Sequence, residues 1–75
     1  MATLPQYRLT QDTAVLRLAP DGHYCITQLP VGAVVALNRR TSEVAPEMVE
    51  IQSDGSRYAV FAADFEERGE PVTDD

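Results

Sequence analysis

The dipeptide Asp54-Gly55 constrains this chain more than any other feature, because it stands between two apolar-rich runs, Met48–Ser53 and Ser56–Phe61. A tight type I′ turn needs positive φ at both central residues, and aspartate and glycine tolerate that best. A two-residue loop at this point sets Ser53 opposite Ser56, Gln52 opposite Arg57, Ile51 opposite Tyr58, Glu50 opposite Ala59, and Val49 opposite Val60. Directly opposed residues share a face. Val49, Ile51, Tyr58 and Val60 are therefore expected to form a wall of the core, with Glu50, Gln52, Arg57 and Ala59 on a mostly solvated face. A slip of one residue would mix the two sets, so the apolar pattern and the turn chemistry specify one pairing.

Shorter signals order the rest of the chain. Residues 1–5 end in Leu4-Pro5 and read as a loose lead-in. Residues 6–10 alternate Tyr7 and Leu9 with Arg8 and Thr10, which predicts a first strand. A second covers Thr13–Leu18 and stops at Pro20-Asp21-Gly22, a turn in which proline presets one position and aspartate and glycine accept left-handed backbone at the next two. Residues 23–29 form the third, with His23, Cys25, Thr27 and Leu29 on one face and Tyr24, Ile26 and Gln28 on the other. After the Pro30–Gly32 turn, residues 33–37 are apolar throughout and predict a central strand buried on both sides. Residues 38–46 are polar and end in proline, so an exposed, mobile loop is expected. One helical turn is predicted near residues 62–67, ended by Gly69, with a short edge strand over 70–72 and frayed residues at 73–75.

A chain of 75 residues is one domain, 1–75, near the lower limit for folding without staples. With Cys25 as its single cysteine it makes no internal disulfide, which points to a reducing, cytoplasmic setting. No signal-peptide pattern follows Met1, and no run approaches the roughly 18 apolar residues of a membrane span. The net charge of −6 is uneven: residues 1–42 carry +2 and residues 43–75 carry −8. That field repels phosphate backbones and anionic lipid heads. All six basic residues are arginines, for which we have no physical account.

A long first hairpin, a polar loop, a tight second hairpin, one helical turn and a closing strand make a particular order of elements. It resembles that of small SH3-like β-barrels over roughly residues 6–73, which implies an all-β fold of five to six short antiparallel strands. On this resemblance, residues 29–35 hold the buried second strand of the barrel, Asp54-Gly55 is the distal hairpin, and residues 62–65 are the helical turn. The peptide-binding members' functional residues do not carry over. The chain has no tryptophan, no alanine-leucine-tyrosine-aspartate-tyrosine stretch in its first loop, and Asp64-Phe65-Glu66-Glu67 where those members have serine-x-x-tyrosine. A polyproline groove would lack its aromatic walls. The segment from Phe61 through Asp64, Arg68 and Gly69 to Pro71 is similar instead to that of small bacterial barrels of unassigned function, and a shared fold does not fix a function.

Candidate chemistry is sparse. His23 and Cys25 share a strand face and offer two soft metal ligands, half of what zinc takes; the plain alternative is an exposed histidine and a packed thiol. Pairing Cys25 or a serine with His23 as nucleophile and base lacks an orienting partner and an oxyanion site, so no enzyme is expected. Asp64, Glu66, Glu67, Glu70, Asp74 and Asp75 form an acidic stretch that reads as solvated surface, with Arg68 expected to pair with Asp64 four residues earlier. Arg39-Arg40 is the only basic doublet, thin for nucleic-acid binding. The expectation is a non-catalytic protein-interaction module with no cofactor, homo-oligomeric or docked on a protein partner through a strand edge or the Phe61 side. Phe61, Glu50 and Arg57 are its candidate contact residues. A nucleic-acid-associated regulatory accessory is the alternative, and a metal-binding protein at His23 and Cys25 comes third.

Overall fold

The computed structural model describes residues 4–42 and 44–72. Strands β1 (Gln6–Leu9), β2 (Thr13–Leu18), β3 (Tyr24–Leu29), β4 (Val34–Arg39), β5 (Met48–Ser53) and β6 (Ser56–Phe61) precede helix α1 (Ala62–Arg68) and strand β7 (Gly69–Pro71). They form one antiparallel sheet in the order β3-β2-β6-β5-β4-β1-β7. The fold is all-β with one short helix. Its strands number seven rather than the five to six that the barrel resemblance implies, because each of the seven strand segments marked in the sequence, the short closing one included, pairs in the sheet. Among the described residues the sheet is open, with β3 and β7 as its edges.

The Asp54-Gly55 hairpin has the register its turn chemistry dictates: Val49 pairs with Val60, Ile51 with Tyr58, Gln52 with Arg57 and Ser53 with Ser56. Both turn residues have positive φ, 50° at Asp54 and 78° at Gly55. In the β2–β3 hairpin the Ala19 amide donates to the His23 carbonyl at 2.8 Å, and the amide of Gly22, at φ 91°, donates to the Ala19 carbonyl at 3.1 Å. One face of the sheet carries the core: Leu9, Val15, Leu29, Val35, Leu37, Val49, Ile51 and Val60 gather around Phe65 of α1. Phe65 meets the ring of Tyr7 edge-on at 4.7 Å between centroids, anchoring a helix too short to persist alone.

The second face departs from expectation. Glu50 and Ala59 are buried, at 3% and 0% exposure, and so is Met48; β5 is walled on both sides. Glu50 is therefore not a solvated cross-strand neighbour. The segment predicted as an exposed loop, residues 38–46, does not stay clear of the sheet. β4 runs on to Arg39, Ser42 is buried, its amide donates to the Met48 carbonyl at 2.9 Å, and half-buried Val44 lies beside Leu18, Tyr24 and Arg57 on this face. The expected two-sided burial of residues 33–37 does not occur: Val35 and Leu37 are buried but Val34 is 41% exposed. The centre of the sheet is β5, with three strands to either side.

The loose lead-in is partly tied down, since the Pro5 carbonyl accepts a hydrogen bond from the Leu37 amide at 2.8 Å. Residues 1–3 and 73–75, where fraying was expected, lie outside the described residues. The predicted Asp64–Arg68 pair does not form. Arg68 reaches the Asp12 carbonyl through an Nη1 hydrogen bond at 3.3 Å, and its own carbonyl accepts from the Thr10 amide and hydroxyl, tying the end of α1 to the β1–β2 loop.

Candidate functional site

The second sheet face ends at edge strand β3, and there the largest apolar side chains meet solvent. Ile26 is 79% exposed, Tyr24 54% and Phe61 50%. Leu16 stands between Ile26 and Ala59 in one cross-strand row, and Ala14, Leu16, Ile26, Met48 and Phe61 line a shallow apolar groove of about 300 Å³. Phe61 closes β6 opposite Met48 as the residue before α1.

The backbone of β3 adds a directional element. Because the His23 carbonyl accepts from Ala19, the odd-numbered residues of β3 exchange their hydrogen bonds with β2. Residues of an antiparallel strand alternate in this respect, so Tyr24, Ile26 and Gln28 turn their N–H and C=O groups outward along the free edge. Their side chains lie on the face that carries the groove. The strand Tyr-Cys-Ile-Thr-Gln-Leu contains no charge, no proline and no bulge, the devices that blunt an exposed edge. The opposite edge, β7, is blunted: three residues long, it contains Glu70 and Pro71.

Of the contact residues predicted from the sequence, Phe61 is exposed beside this edge, Arg57 is exposed at the other end of β6, and Glu50 lies buried between them. The three share a face without forming one surface. Glu50 accepts a hydrogen bond from the Asn38 side chain, and Asn38 is the residue bulged out of register where β4 passes β5 between Leu37 and Arg39. A buried carboxylate is costly unless paired, and the bulge supplies the partner. Ile26 and Tyr24 were missed by sequence reasoning. The signal was available in their shared face on residues 23–29, but only the strand order shows that, among the described residues, no strand lies beyond β3.

The pair His23 and Cys25 takes a different form from that expected. Cys25 is exposed, not packed, because Arg17 across the ladder is itself at the surface. The imidazole Nδ1 of His23 lies 3.0 Å from Oδ2 of Asp21, and the His23 amide donates to Asp21 Oδ1 at 3.0 Å. The contact with the ring, then the amide bond, lower the Asp21 pKa below its usual carboxylate value. Among the described residues no three histidine, cysteine or acidic side chains gather as a metal site. Nor is any helix among them long and apolar enough to cross a membrane. No family model, curated protein or solved structure matches the chain.

Proposed function

We propose that the protein is a non-catalytic interaction module of SH3-like layout that takes an uncharged, apolar β-strand of a protein partner along β3. The observation that carries this reading is the bare, charge-free edge of β3 with Ile26 exposed above the Phe61 groove. An added strand would satisfy the outward N–H and C=O groups of Tyr24, Ile26 and Gln28, and its alternate side chains would enter the groove. Covering Ile26 alone contributes about 1.5–3 kcal/mol. The SH3-like layout is supported by the order of the elements, in which the β2–β3 hairpin takes the place of the long first loop and α1 the place of the helical turn before the closing strand. On that layout the partner strand lies on the first hairpin and not in the aromatic groove of the peptide-binding barrels.

A short capped peptide of alternating threonine and valine is the probe, titrated into the protein labelled for amide NMR. Shifts centred on the Tyr24, Ile26 and Gln28 amides and the Phe61 ring are expected. Shifts spread over the whole sheet or centred on β7 would overturn the reading.

A further inference from the structure

Resting on the β3 docking reading, we infer that the strand this edge takes is β3 of a second copy of the chain, paired antiparallel about a two-fold axis at Ile26. A partner strand must itself have an unpaired ladder. Among the described residues the chain has two free edges, and Glu70 and Pro71 in the three-residue β7 close one of them to pairing. Only β3 is left to meet β3. Such a contact is isologous and closes at two copies, whereas a β3–β7 contact would run on into a fibre.

The register is set by which residues face outward. With the axis at Ile26, Ile26 pairs with Ile26 of the second copy and Tyr24 with Gln28 in both directions. All three pairs are of the hydrogen-bonded type, about six main-chain bonds in total. Cys25 then stands opposite Thr27 of the second copy. On the groove face Tyr24 of the second copy extends the row formed by Gln28 and Ala14, which shares the groove with Phe61. The two most exposed isoleucine side chains of the pair cover each other, and the apolar grooves join.

Charge favours the same arrangement. β3 carries no charged residue; within residues 43–75, net −8, β7 is the edge strand farthest from β3, and α1 packs against β5, β6 and β7, none of which borders β3. Two copies joined at β3 keep these acidic ends apart, so the remaining repulsion between chains of net −6 is long-range and screened by salt.

Sedimentation equilibrium of the full chain over a range of concentrations tests the inference. A monomer–dimer equilibrium is expected, strengthened by added salt, and weakened at least tenfold by Ile26→Lys, which puts a charge on the edge at an exposed position. Thermal unfolding of the dilute variant establishes that it is folded. Thr27→Cys fixes the register: under mild oxidation it should give a dimer linked from Cys25 to position 27, while the unsubstituted chain, with Cys25 facing Thr27, should not cross-link. Equal cross-linking of the unsubstituted chain would overturn the Ile26 axis. A chain that stays monomeric throughout would overturn self-pairing. If its Tyr24, Ile26 and Gln28 amides still shift with the threonine–valine peptide, the docking reading survives; if they do not, both fall together.

Discussion

The two hairpins of this protein are built from similar parts and end in opposite surroundings. Each joins two six-residue strands through a turn containing Asp-Gly, and each carries an isoleucine in mid-strand. Ile51 in β5 is completely buried, while Ile26 in β3 is 79% exposed. Hydrophobicity is the same at both positions, so it does not decide burial. Place in the sheet does: β5 has three strands to either side and is covered on both faces, whereas β3 has β2 on one side and solvent on the other. Ile26, exposed at an edge beside Tyr24 and Phe61, is the feature on which the proposed docking at β3 rests.

The sharpest way to break this contrast is the same substitution at both isoleucines. Ile51→Ala removes methylenes from the centre of the core and should cost about 2–5 kcal/mol, enough to unfold much of a domain this small. Ile26→Ala, measured by urea unfolding at concentrations too low for association, should change stability by less than about 0.5 kcal/mol. Equal losses would mean that β3 is covered within a single chain and would remove the case for an exposed edge.

The two faces of β5 sharpen the comparison next. Asn38→Ala takes away the amide that hydrogen-bonds to Glu50 and leaves a buried carboxylate without its partner, which should cost about 1–3 kcal/mol. Adding Glu50→Gln to that variant should recover part of the loss, because a neutral group is less costly to bury. Gln28→Ala on exposed β3 should cost under about 0.5 kcal/mol in the same urea assay. If Asn38→Ala is as harmless, the bulge does not serve to satisfy Glu50.

Local chemistry made much of this legible. The β5–β6 register came from Asp54-Gly55 and alternation, and the limits of β2 and α1 from the residues that stop them. Long-range coverage was not legible. Residues 33–37 read as buried on both sides because alanine and valine there look alike, yet Val34, the first residue of β4, is left 41% exposed on the second face. Glu50 read as solvated because alternation with Val49 and Ile51 puts it on the polar face, and nothing in the neighbouring residues announces that this face is also buried at β5. The bulge at Asn38 has no turn residue to announce it; the side chain it sets free bonds to a carboxylate twelve positions away. The exposed face of β3 was written in the sequence, but its meaning depends on strand order, a property of the whole chain.

Glycine tests the two hairpins through their turns. A Cβ at Gly55 or Gly22 meets no atom within 4 Å, so alanine there is penalised only by backbone conformation, at φ of 78° and 91°. That strain is about 1–2 kcal/mol. At Gly55 it should appear in full as lost global stability, because the central hairpin unfolds with the core. At Gly22 it should appear mainly as faster amide exchange in β3, the projecting hairpin opening by itself. Equal global losses would show that the two hairpins unfold as one unit.

The smallest effect concerns the tip of that projecting hairpin. The Asp21 pKa is held below its usual value first by the His23 ring and then by the His23 amide. A carboxyl whose folded pKa is depressed contributes stability above its unfolded value, and that contribution is lost as pH falls through the lower folded value. His23→Ala removes the ring and keeps the amide, so the Asp21 carboxyl, tracked by NMR titration, should move part of the way back toward an ordinary aspartate. The accompanying change in global stability should be too small to resolve at any pH, since both side chains are in solvent and the contact is screened. A full return would mean that the amide bond does not hold the carboxylate. A loss of global stability would mean that the β2–β3 tip is coupled to the core, contrary to the distinction between the two hairpins.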